Sequence, residues 1–219
     1  MGGAQEPPGP VTPLLIACAL GIERFALRTG RRSAVPGPGP VSIIRSGMGP
    51  RAAESAVRRA LGPNGAGGTA VIASGFCAGL EPGMHPGDLV VAEETRDSGG
   101  TTVCTGTGLL VDALVRAVPG RTVHTGPLTG SGHVVRGPER AGLRAAGAIA
   151  VDMESAATLR TAVRTGPRPV AAVRVVVDAP EHELVRIGTF RGGISAFRVL
   201  RAVLPAFHEW HRSLLLPRR

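Results

Sequence analysis

Three acidic residues, far apart in the chain, stand at positions where a carboxylate can do chemistry. Asp178 follows Val173-Arg174-Val175-Val176-Val177, an apolar run interrupted only by Arg174. A carboxylate at the mouth of a buried segment is partly desolvated, which favours its protonated form and suits it to donate a proton near neutral pH. Glu154, in Asp152-Met153-Glu154, follows the apolar run 148–151 and opens a helical pattern. A carboxylate there complements the helix dipole and is also placed to accept hydrogen bonds from a pair of hydroxyls. Glu23 comes just after the apolar run 14–20, where it can take a proton from water. Each has a plainer alternative. Asp178 can cap a turn at Asp178-Ala179-Pro180, Asp152 suits an N-cap with Glu154 serving only the dipole, and Glu23 can pair with Arg24, Arg28 or solvent. Arg174 lies four residues before Asp178, on the same side of a strand, so it can pair with a nearby carboxylate.

Two glycine-rich segments, Ser46-Gly47-Met48-Gly49-Pro50 and Gly75-Phe76-Cys77-Ala78-Gly79, would let backbone amides approach a phosphate or a ribose. Neither is a G-x-G-x-x-G or P-loop pattern. The chain has no G-x-S-x-G elbow, so serine hydrolase chemistry has no support. The histidines show no zinc-type spacing, and His208 and His211 read as surface residues of a helix. Cys18, Cys77 and Cys104 lack C-x-x-C spacing, and the first two read as small buried side chains. No metal and no cofactor are expected.

These groups need elements to hold them. Apolar runs predict strands over 14–20, 41–45, 69–73, 88–92, 122–125, 148–151 and 170–177. Helical patterns cover 23–28, 51–61, 109–118, 153–163 and 193–216, the last interrupted at Pro205. Residues 1–12 read as a flexible tail, 30–40 as a loop, and 13–219 as a single catalytic domain. Strands alternating with helices give an α/β class, and in such folds ligands gather at the carboxyl ends of strands. Glu23, residues 46–50, residues 74–80 and Asp178 all fall at strand ends.

Composition narrows the partners. The chain has 219 residues, 43% of them hydrophobic but only 3% aromatic, with no Tyr, so the core is built from Ala, Val, Leu and Ile. The net charge is +9 and the isoelectric point about 11.4. All of the basic side chains are Arg, scattered among 32 Gly and 19 Pro, the pattern of a GC-rich coding bias. No aromatic residues interleave them as base-stacking platforms, which argues against nucleic acid as a partner. The apolar run 14–20 is too short to span a bilayer, so a cytoplasmic protein is expected.

Together the motifs resemble those of the nucleoside phosphorylase/nucleosidase superfamily, in matching order over residues 13–200. Val151-Asp-Met-Glu-Ser-Ala-Ala157 is similar to its V-[ED]-M-E-[AS]-A-A segment, which implies ribose binding by Met153 and Glu154. Arg174-Val-Val-Val-Asp178 is similar to R-x-x-S-D of the adenine-releasing nucleosidases, which implies that Asp178 protonates the purine at N7; Val177 replaces the Ser. Residues 75–82 and 86–91 resemble G-x-A-G-G-L-x-P and P-G-D-[IL]-V-V, and 46–50 resembles the G-[MI]-G turn. Glu23 falls where the nucleosidases keep a water-activating Glu. The resemblance implies a three-layer α/β fold with a mixed twisted central sheet flanked by helices, and a homodimer or higher homo-oligomer. Further substrate contacts are expected from Gly47, Gly49, Gly75, Phe76, Val135 and Arg174.

Hydrolysis is favoured over phosphorolysis. Where hexameric purine phosphorylases carry R-V-G-S-C-G, with the Arg on phosphate, this chain has Ala73 and Phe76 in the Arg and Ser positions; Arg45 or Arg51 would have to compensate. Residues 46–50, 132–135 and 150–155 look most like the hopanoid-associated branch, which implies removal of adenine from adenosylhopane, a lipid-linked nucleoside. Methylthioadenosine/adenosylhomocysteine nucleosidase and phosphate-dependent purine phosphorylase remain alternatives, as does a non-catalytic nucleoside binder. Val134 and Val135 stand where an adenine-stacking aromatic is usual, and Phe76 is a substitute ring. The stretch 197–216, with Trp210, is a candidate for peripheral membrane contact or an amphipathic helix packed on the sheet.

Overall fold

The structure is a computed structural model and describes residues 12–30, 37–62, 68–179 and 189–215. Most of the expected N-terminal tail and the centre of the 30–40 loop lie outside these. The strands are β1 (Leu14–Cys18), β2 (Val41–Arg45), β3 (Ala70–Gly79), β4 (Leu89–Asp97), β5 (Gly100–Val103), β6 (Val123–Gly130), β7 (Ala150–Asp152) and β8 (Val170–Asp178). The helices are α1 (Gly21–Gly30), α2 (Pro50–Leu61), α3 (Thr107–Ala117), α4 (Pro138–Ala145), α5 (Ser155–Arg164), α6 (Thr189–Ala202) and α7 (Leu204–Ser213).

All strands join one mixed sheet in the order β2-β1-β3-β7-β6-β4-β5, with β8 pairing both β3 and β4. The pairings β3–β8, β8–β4, β4–β6, β6–β7 and β7–β3 close a ring within that sheet. Strands β1 and β8, buried along almost their whole length, are continuous apolar runs because both of their faces are covered. One face packs Leu27, Leu110, Leu114, Leu200, Phe207 and Trp210 against the sheet, from α1, α3, α6 and α7. The other packs Val57, Leu61, Leu159 and Ala162, from α2 and α5. This is the expected three-layer α/β architecture.

Several elements differ from the sequence expectation. Strand β3 does not end at Ala73 but runs on to Gly79, because Gly75 takes φ 142° and carries the chain through a conformation closed to other residues. Strand β4 extends to Asp97 and turns through Ser98-Gly99 into β5, a short hairpin that the apolar pattern did not mark. Helix α4 was also unmarked. Pro205 lies in the first turn of α7, where its missing N–H costs nothing, so the expected interruption is a clean break between two helices.

The C-terminal stretch packs inward. Trp210 and Phe207 are fully buried, and the Trp210 indole N–H donates to the Thr105 carbonyl at 2.9 Å. Neither ring is free to rest on a bilayer. His208 and His211, expected at the surface, are buried as well. The His211 ring lies 3.1 Å from the Thr12 hydroxyl, and burial and His208 lower its pKa. Among the described residues no helix is long and apolar enough to cross a membrane.

Candidate active site

The strand ends of β1, β3, β7 and β8 frame a cavity of about 250 Å³, lined by Glu23, Phe76, Val135, Met153, Glu154 and Asp178 among others. The acids singled out from sequence therefore share one cavity, although 155 positions of chain separate the first from the last. Each is held differently.

Glu23 lies in the first turn of α1 and is buried. Its Oε2 accepts the Leu20 N–H at 2.8 Å and its Oε1 accepts the Phe76 N–H at 2.7 Å. The second bond depends on Gly75. A Cβ built there would lie 2.5 Å from Glu23 Oε1 and 2.7 Å from Arg174 Nη1, closer than real Cβ contacts allow. Gly75 thus serves Glu23 and does not itself line the cavity.

Glu154 occupies the N-cap position of α5, but its side chain makes no cap. Instead Glu154 Oε1 accepts the Gly49 N–H at 2.7 Å. The capping task falls to Asp152, whose two carboxylate oxygens accept the Ser155 N–H at 3.1 and 3.2 Å. Burial pushes the Glu154 carboxyl above the usual carboxylate range, partly opposed by Arg174. Gly49 takes φ 88° and Gly47 φ 84°, so the glycine turn is needed for its path. Of that turn, Met48 lines the cavity.

Arg174 makes the expected pairing with a carboxylate, Asp152, but does not line the cavity. It is 1% exposed and lies behind the cavity wall. Its Nη2 pairs with Asp152 Oδ2 at 2.6 Å, and its Nε donates to Ser155 Oγ at 2.9 Å. Burial alone would lower its pKa, but the nearby carboxylates Asp152, Glu154 and Glu23 more than offset this and hold it charged. The β3–β8 register shifts at Cys77/Ala78, leaving Ala78 opposite Asp178 and one extra residue in β8. That bulge breaks the alternation by which residues four apart share a side. Of the residues expected to contact substrate, Arg174, Gly47, Gly49 and Gly75 do not line this cavity.

Asp178 pairs instead with Arg140 of α4, a residue the sequence reading passed over. Arg140 Nη2 bonds Asp178 Oδ2, Nη1 lies 3.4 Å from Oδ1, and Nε donates to the Val135 carbonyl at 3.3 Å. Both partners are buried. The available signal was Gly137-Pro138-Glu139, a helix start that would have set Arg140 one turn in, beside Val135. The cavity's other walls are largely apolar, and Met48 and Val134 stand 70% and 62% exposed at its edge. Phe76 is half-buried in the wall.

The thiols are not poised for chemistry. Cys18 and Cys77 are buried and Cys104 half-buried. Burial pushes the Cys18 and Cys104 pKa values up to about 12 and that of Cys77 higher still.

The sequence profile of the phosphorylase superfamily matches residues 22–204. No curated protein sequence matches the chain. Among solved structures it is similar to the 5′-methylthioadenosine/S-adenosylhomocysteine nucleosidase of Neisseria meningitidis in complex with methylthio-immucillin-A, at 21% identity, 93% of this chain, 100% of that chain and a TM-score of 0.70. It is similar to the corresponding nucleosidase of S. pneumoniae with a transition-state inhibitor, at 17% identity, 90% and 99% coverage and a TM-score of 0.71. It is also similar to the futalosine hydrolase of Helicobacter pylori, at 14% identity, 90% and 97% coverage and a TM-score of 0.72. At such identities the likeness establishes the fold. The matched profile spans most of the chain, which therefore belongs to the phosphorylase superfamily, as an enzyme of the nucleosidase or nucleoside phosphorylase kind.

Proposed function

We propose that the protein is an N-ribosyl hydrolase that releases adenine from an adenosine derivative. The observation that carries this reading is the meeting of Glu23, Glu154 and Asp178 around one cavity. As the C1′–N9 bond stretches, the ribose gains oxocarbenium character and the base gains negative charge. Asp178 sits on the base side and supplies a proton to N7 or holds one there by a hydrogen bond. Glu154 accepts from the ribose hydroxyls, and Met153 packs against the sugar. Glu23, its carboxylate fixed by two backbone N–H groups, keeps lone pairs for a water molecule and takes its proton as the oxygen attacks C1′. Each such general acid or base contributes on the order of 10²–10⁴-fold.

Hydrolysis is favoured because, among the described residues, the basic side chains lining the cavity, His133 and Arg140, are each paired with a carboxylate, Glu139 and Asp178. Ala73 is buried within β3. Arg45 and Arg51 are exposed and do not line the cavity. Arg140 does line it, but its charge is matched by Asp178, with which it forms an ion pair. A phosphate site would need a charge-assisted contact of that type.

For the group at the ribose 5′ position, the apolar walls and the exposed Met48 and Val134 support an apolar substituent. The motif resemblance to the hopanoid-associated branch makes adenosylhopane the preferred candidate, with methylthioadenosine the smaller alternative. The test is to incubate the protein with methylthioadenosine, adenosylhomocysteine and a lipid-linked adenosine, each with and without phosphate, and to measure free adenine. Phosphate-independent release supports the hydrolase. Strict phosphate dependence would make it a phosphorylase, and tight adenine binding without release a non-catalytic binder.

A further inference from the structure

Arg140 is a charged residue of the cavity that the mechanism above leaves unused, and its bonding says what it offers. A guanidinium carries five N–H donors in a fixed plane. Three are spent, one from Nε on the Val135 carbonyl and one from each Nη on Asp178. Two remain, one on each Nη, on a side chain that lines the cavity. Beside them stands the Asp178 carboxylate, which accepts from both Nη atoms of Arg140. The base side of the cavity thus presents a donor next to an acceptor. Adenine presents the complement, with N7 as acceptor beside the 6-amino donor.

We propose that Arg140 is a catalytic residue that activates the departing base, donating an N–H to N7 while ionised Asp178 accepts from the 6-amino group and fixes the guanidinium. The proposal rests on the adenine-releasing reading and, within it, replaces the proton donation given above to Asp178 with a hydrogen bond from Arg140. In the step itself the C1′–N9 bond breaks with its electron pair going to the base. The water oxygen bonds to C1′, and the water proton passes to Glu23. The purine anion is stabilised at N7 by Arg140 until it takes a proton from solvent, and Glu23 returns its own to solvent. No proton need reside on Asp178. A fixed cation aimed at developing charge, away from bulk water, is among the larger contributions an enzyme makes.

The experiment compares two leaving groups on the full-length protein. Adenine needs help to depart, whereas p-nitrophenolate, released from p-nitrophenyl β-D-riboside, is stable as an anion and needs none. In Arg140→Met we expect kcat/KM for adenine release to fall about 100-fold or more and that for nitrophenolate to fall less than about tenfold. Arg140→Lys, which keeps a cation but gathers its donors on one nitrogen, restores part of adenine release and serves as the second variant if the Met variant does not fold. Equal losses with both leaving groups would reduce Arg140 to a structural prop and overturn the proposal, as would adenine release that survives in both variants. If the wild-type protein releases no base from any nucleoside, it is the hydrolase reading that fails, a result distinct from either.

Discussion

The two sides of the cavity are built on different principles. On the side proposed to hold the sugar, Glu23 and Glu154 accept backbone N–H groups at Leu20, Phe76 and Gly49. Those donors belong to the main chain of strand β3 and of the turns after β1 and β2, and they move only if the fold moves. Behind them Arg174 ties Asp152 to Ser155 in full burial. On the base side, Asp178 is held by a side chain, Arg140, from the short helix α4. A long side chain can swing between partners, while a backbone amide cannot. The sugar side is therefore preorganised for one ligand geometry, and the base side is the adjustable half, where recognition of the leaving group can change without rebuilding the sheet.

Substitutions on each side should break this comparison in different ways. The largest effect is expected at Asp178. Asp178→Asn keeps the shape and one acceptor for Arg140 but loses the charge, so adenine release should fall about 10³–10⁴-fold while circular dichroism stays that of the wild type. Unchanged turnover would remove Asp178 from the mechanism. Next is Arg174→Met, which leaves buried Asp152 without its cation and should cost about 3–5 kcal/mol of folding stability, read as a lowered denaturant midpoint. The contrast is the point. The base side should lose rate and keep its fold, while the sugar side should lose its fold. An Arg174→Met protein of wild-type stability would show that the sugar side is not held from behind as described.

How much of this the sequence disclosed follows the same division. Glu23, Glu154 and Asp178 were legible because each follows an apolar run, and a run that ends in a carboxylate marks a strand end. The ribose segment and the glycine turn carried their own spacing. What stayed hidden depends on register and on long-range pairing. Arg174 and Asp178 look like neighbours on one strand face until a single extra residue in β8 interrupts the alternation between them. Arg140 lies 38 positions from Asp178 in a helix with little apolar periodicity, so no local signal joined the two. His208 and His211 passed for surface residues because a polar ring on a helix reads as exposed until the neighbouring elements are known to cover it. The run of β3 past Gly75 was missed because glycine-rich stretches signal turns, whereas here the glycine spares Glu23 a Cβ.

Two further changes sharpen the sugar side. Glu23→Gln keeps the shape and an acceptor for one of the Leu20 and Phe76 N–H groups but cannot take a proton from water. Turnover should fall about 100-fold with little change in KM, measured by steady-state adenine release; a loss confined to KM would give Glu23 a binding role only.

The smallest effect is the most informative about cost. Burial raises the Glu154 pKa from its ordinary 4.5, so ionising this carboxyl works against folding. The sign follows from proton linkage. Below the unfolded-state value both states are protonated and the wild type loses nothing. As pH rises past it, the unfolded chain ionises first and stability is lost, until the folded carboxyl has ionised too and the loss is complete. Glu154→Gln cannot ionise and keeps an oxygen to accept the Gly49 N–H. Its melting temperature should match the wild type in acid and exceed it at and above neutral pH, by on the order of a few degrees, while KM for the nucleoside rises. A variant less stable than the wild type at every pH would mean that the charge on Glu154 is already well compensated in the free protein. The sugar side would then be settled before any ribose arrives, and its strain would have to be sought elsewhere.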